Sequence, residues 1–187
     1  MKSGHDPRRL DVRRFAEERS VVGGETPLRD FPRLAAEAEG RGAETAVRWS
    51  AQGAMLNAGH VQPQVWIHVE ADATLSLICQ RCLAGVDVHV PVQRAFRFVT
   101  DEARAAAEDD ESEEDVLAES RSFDLMELVE DELLMGVPVA PRHTACPVLP
   151  PFSAGEDEFE AAQEKRANPF AVLQSLIPAK PGKPGPG

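Results

Sequence analysis

A chain of 187 residues with 42% hydrophobic and 28% charged side chains has the size and make-up of one ordinary domain, which excludes wholesale disorder and a fibrous repeat. Aromatics are only 5% and tyrosine is absent, which argues against a base-stacking RNA platform. The formal charge of −12 is uneven: residues 101–132 carry 15 acids against Arg104 and Arg121, so the remainder is nearly neutral, and a DNA partner is not expected of so acidic a protein.

In chain order, Met1 to Asp6 holds no apolar secretory core, and the expectation is a cytosolic protein with reduced thiols. Leu10 to Ser20 reads as a short helix capped by Asp11, with Val12, Phe15 and Ala16 on one side and arginines around the rest. Gly23-Gly24 breaks it. Thr26-Pro27 then reads as the start of a second helix, delayed by Pro32 and ended by Gly40.

From Ala43 to Val99 the period becomes two. Val47 and Trp49, then Val65, Ile67 and Val69, then Leu75, Leu77 and Cys79 alternate with polar neighbours. Val86, Val88, Val90 and Val92 continue onto a face with Arg94, Phe96 and Phe98. Breaks at Asn57 to His60, Ala71-Asp72 and Ala84-Gly85 predict an antiparallel meander, with His68 and His89 on its wet face.

Residues 101–121 form a low-complexity acidic run and are expected to be a mobile loop. Asp124 caps a helix to Met135 whose stripe of Leu125, Leu128, Val129 and Leu133 faces the core, while Glu127, Glu130, Asp131 and Glu132 face water. A terminal helix is expected after Asn168-Pro169. The apolar stretch from Ala167 to Ala179 is too short to cross a bilayer, so no membrane partner is expected. The whole predicts an α+β fold: one globular unit over residues 1–177, built on an antiparallel meander with short N-terminal helices and one acidic helix packed on the sheet, then a disordered Pro/Gly tail over 178–187.

One constellation carries chemistry. Cys79-x2-Cys82 lies between strands and His143-x2-Cys146 lies past the acidic helix, together supplying four candidate ligands for a structural zinc ion and using every cysteine in the chain. Free thiols and a thiol oxidoreductase using Cys79 and Cys82 remain as alternatives. Redox chemistry prefers a cysteine at a helix N-terminus, which this pair lacks.

The runs LICQRCLAGVDVHVPVQRAFRFV, FDLMELVEDELLMGVPVAPRHTAC and NPFAVLQSL, in that order, resemble the bacterial large ribosomal RNA subunit accumulation protein family, the YceD family. By position the motif residues are Cys79, Arg81, Cys82, Glu130, Asp131, Glu132, Pro138, His143, Cys146, Asn168, Pro169 and Phe170. The resemblance implies a cytosolic, non-enzymatic ribosome biogenesis factor that supports processing or accumulation of large-subunit (23S) ribosomal RNA. Its partner is then that RNA, contacted through a local patch such as Arg8, Arg9, Arg13 and Arg14, or a basic large-subunit ribosomal protein held by the acidic run. A zinc-stapled interaction adapter without a ribosomal role is the further alternative.

Overall fold

Strands whose alternate residues are apolar bury one face and wet the other, and three such strands organise this molecule. The computed structural model describes residues 4–59, 61 and 63–148. Its elements are α1 (Val12–Glu17), β1 (Val21–Pro27), a 3-10 turn (Leu28–Asp30), α2 (Pro32–Glu37), β2 (Ala46–Leu56), β3 (Gln64–Ile78), β4 (Gly85–Val99), α3 (Glu102–Asp109), β5 (Asp115–Ala118) and α4 (Leu125–Gly136). The sheet order is β1-β2-β3-β4-β5, antiparallel through β4, with β5 parallel to β4. The expected α+β class holds, and the sheet is mostly antiparallel.

The buried face is built by Val47, Trp49 and Ala51 of β2, the odd residues from Val65 to Leu77 of β3, and Val90, Phe96 and Phe98 of β4. Helix α1 packs on β2 and β3 with Val12, Phe15 and Ala16, while α4 packs on β3 and β4 with Leu125, Val129 and Leu133. Contact between α1 and the sheet requires Gly53, because a Cβ there would lie 2.5 Å from the carbonyl oxygen of Phe15. Asp11 and Asp124 cap their helices as expected, Asp124 accepting from the backbone N–H of Met126 and Glu127.

Several expectations are corrected. Gly23 and Gly24 do not separate helices; they lie inside β1, an edge strand paired on one side only with β2, where glycine and a terminal proline are tolerated. Ala71-Asp72 is not a turn but the middle of β3. Ala71 is a small core residue there, and Asp72 accepts from Arg48 Nη2 across the strands at 2.7 Å. The acidic run 101–121 is not a structureless loop. It folds as α3, capped by Asp101, followed by β5, and Val99, Ala105 and Val116 form a small second cluster. The terminal helix expected from Asn168, Pro169 and Phe170 and the Pro/Gly tail lie outside the described residues.

The stripe on α4 is also corrected. Glu130 does not face water but is 5% exposed, and Glu132 is half-buried with its carboxylate 3.5 Å from Arg94 Nε. The reason lies in α2, whose N-cap Phe31 has no side chain to accept from the first turn. Glu130 Oε1 accepts from the backbone N–H of Arg33 at 2.7 Å and of Leu34 at 3.1 Å, and Oε2 accepts from Arg33 Nε at 3.2 Å. A carboxylate delivered from α4 thereby caps α2 and suits its positive end. Glu130→Ala removes that cap and strands two N–H donors, and is expected to lower unfolding free energy by about 2–4 kcal/mol. Glu127→Ala, on the wet side of the same helix, is expected to leave the urea midpoint unchanged.

Candidate metal centre

The long pairing of β3 with β4 ends at Ile78 opposite Gly85, and the six residues between them make a tight turn. Within it the N–H of Cys79 donates to the carbonyl of Ala84 (2.9 Å), and that of Leu83 to the carbonyl of Cys79 (2.9 Å). Just before the turn, Arg41 Nε holds the carbonyl of Ser76 at 3.0 Å. The second pair arrives from α4. Its last turn closes at Gly136, Val137 is extended, and Pro138 forbids continuation, so the chain runs on as a loop to Cys146. One backbone hydrogen bond joins the two loops, from the N–H of Gln80 to the carbonyl of Pro141 at 2.8 Å.

Cys79, Cys82, His143 and Cys146 meet at this junction, with one donor atom from each lying within 4.8 Å of all the others. A tetrahedral ion with bonds of about 2.3 Å to sulfur and about 2.0 Å to nitrogen sets edges of about 3.8 Å between sulfurs and about 3.5 Å between sulfur and nitrogen. Cys79 Sγ is 3.9 Å from Cys146 Sγ, and Cys82 Sγ is 3.4 Å from His143 Nδ1. The cysteines are free thiols, so no disulfide competes for the site. The four side chains fit a metal ion.

Electrostatics agree with geometry. Burial pushes the Cys79 thiol up, but the backbone N–H groups of Cys82, His143 and Arg81 and the ring of His143 outweigh it, and the pKa falls to about 5. The Cys146 thiol is instead raised, by burial and by the crowding of Cys82 and Cys79. A thiol held this low beside further sulfurs suits a cation among them. A low pKa also marks reactive cysteines, yet Cys79 is 0% exposed.

The remaining motif residues are dispersed. Arg81 is exposed on the turn, Asp131 pairs with Arg33 Nη1 at 2.5 Å, Pro138 ends α4, and Asn168, Pro169 and Phe170 lie outside the described residues. Sequence reasoning missed Leu83. It adopts φ 61°, a left-handed conformation that favours glycine, and leaves its side chain 74% exposed. Nothing in the residue type signals this; the signal lies in the turn geometry that follows the second cysteine. Leu83→Gly relieves a clash of about 1–2 kcal/mol and adds unfolded-state entropy worth about 0.5–1 kcal/mol. Thermal melting is therefore expected to show stability unchanged or slightly raised.

Among the described residues no helix is long and apolar enough to cross a membrane. No solved structure matches the chain. The family model described as "Large ribosomal RNA subunit accumulation protein YceD" matches residues 67–177. That span opens inside β3, takes in β4, α3, β5 and α4, and includes all four residues of the centre. Covering more than half of the chain, the match makes this protein a member of the large ribosomal RNA subunit accumulation protein YceD family.

Proposed function

We propose that the protein is a non-enzymatic, cytosolic assembly factor that supports accumulation of large-subunit ribosomal RNA, with a structural zinc ion held by Cys79, Cys82, His143 and Cys146. The observation that carries this reading is the family match over residues 67–177. Zinc would supply a cross-link between the β3–β4 turn and the loop after α4; four protein ligands leave no open position for a reacting water. The rival thiol oxidoreductase needs an accessible nucleophile, which buried Cys79 does not offer.

Two measurements test the two halves separately. A deletion strain is expected to show a lowered ratio of large to small ribosomal RNA and incomplete large particles on sucrose gradients; normal profiles at both optimal and low temperature would reject the ribosomal role. Freshly purified, unoxidised protein is expected to carry about one zinc per chain. Cys82→Ser and Cys146→Ser are each expected to lose most of it, and a metal content far below one equivalent in the unaltered protein would reject the centre while leaving the ribosomal role standing.

A further inference from the structure

Of the fifteen arginines in the described residues, ten are ion-paired to carboxylates. The patch expected to touch RNA is among them: Arg8 lies 3.8 Å from Asp124, Arg13 binds Glu119 at 2.7 Å and Arg14 binds Glu18 at 2.8 Å. Arg9 alone is left of that patch. The other arginines without a carboxylate partner among the described residues are Arg19, Arg81, Arg121 and Arg142.

Two of these lie on loops that meet. Arg81 precedes Cys82 and Arg142 precedes His143, whose Sγ and Nδ1 are 3.4 Å apart, and Gln80 bonds to Pro141 beside them. Both arginines are exposed. The next residue along the turn is Leu83, held at φ 61° with its side chain in solvent. An exposed, strained leucine on the turn that carries Arg81, with Arg142 on the adjoining loop and neither arginine given a carboxylate partner among the described residues, suits a ligand that offers both anionic groups and apolar faces. A basic protein would be repelled here, and a lone phosphate would not use the leucine.

We propose that Arg81 and Arg142, carried on the two loops that meet at the Cys/His centre, form a phosphate clamp for single-stranded segments of ribosomal RNA, with Leu83 packing against a base. The proposal rests on the ribosomal reading above and names the surface that makes the contact. Guanidinium groups grip phosphate oxygens in pairs and release counterions, so the contact is local and survives the protein's net negative charge. The alternative duty of these arginines is to offset the thiolates of the centre.

The experiment uses the full-length, zinc-loaded chain and fragments of in vitro transcribed large-subunit ribosomal RNA, titrated by fluorescence anisotropy over a range of salt. Arg81→Gln/Arg142→Gln is expected to weaken binding by about tenfold and to reduce the slope of log K against log salt by about 1.4, with zinc content and melting temperature unchanged. Arg29→Gln/Arg48→Gln removes equal charge from arginines paired with Glu44 and Asp72, and is expected to stay within about twofold of the unaltered chain. Leu83→Gly is expected to weaken binding by about fourfold without loss of stability. Unchanged affinity and slope in the Arg81/Arg142 variant overturn the clamp, as does an equal loss in the Arg29/Arg48 variant. Loss of zinc from the Arg81/Arg142 variant assigns these residues to the centre instead and also overturns it. If the unaltered chain binds no RNA but retains a basic ribosomal protein, direct contact is overturned while the assembly role stands, judged separately by the deletion strain.

Discussion

The pairing of β3 with β4 is the constraint on which the rest depends. Each strand runs for 15 residues, and the register never slips from Val65 opposite Phe98 to Ile78 opposite Gly85. A strand's side chains alternate, so a slip of one residue would put Ile67 and Leu75 of β3 on the opposite face from Val90 of β4. The fixed register does two things at opposite ends of the hairpin. At the far end it gives β5 an edge on β4, and at the closed end it holds Cys79 and Cys82 in a turn too short to wander. Helix α4 lies over the buried face between them and returns the chain to the closed end, where His143 and Cys146 are needed.

Charge is organised differently from what a count along the chain implies. Seven of the fifteen carboxylates in residues 101–132 have arginine partners, and most of those arginines come from elsewhere in the fold. Arg13 reaches Glu119, Arg94 pairs with Asp115 and Glu132, and Arg97 meets Glu108. Exposed pairs of this kind add little stability each. Their consequence is for recognition: a salt-bridged arginine is a poor phosphate ligand, so the cations open to a polyanion are fewer than composition suggests.

How much was legible in the sequence follows from which interactions are local. The alternation of β2, β3 and β4, the caps at Asp11 and Asp124 and the stop at Gly136 depend on neighbours within a few residues, and all could be read. The four metal-ligand candidates were readable as types at a spacing; their convergence within 4.8 Å was not, because it depends on the path of α4. Strand β1 was hidden because an edge strand needs little apolar content, and β5 because its partner lies across α3. Glu130 was misread for the same reason: its partners on α2 are 97 residues away, and no helical periodicity records them.

The loop after α4 is lightly tied to the fold, and a metal ion at this junction would help to order it. Among the described residues, the only backbone hydrogen bond between residues 138–146 and the rest of the fold is the one that Pro141 accepts from Gln80. Val139, 102% exposed, and Arg142 lie in solvent, whereas Pro141 between them is buried. Ordering the ten residues from Val137 to Cys146 costs on the order of 10–20 kcal/mol at about 1–2 kcal/mol per residue, less the saving from Pro138 and Pro141. Against that cost stand this hydrogen bond, worth about 1 kcal/mol net, buried Pro141, and Val137 and Cys146 packed against the core. A structural zinc ion held there would add about 10–16 kcal/mol, on the scale of the ordering cost. The Cys/His cluster therefore bears on the proposed recognition as well as on stability: His143 Nδ1, 3.4 Å from Cys82 Sγ, ties the loop that carries Arg142 to the β3–β4 turn.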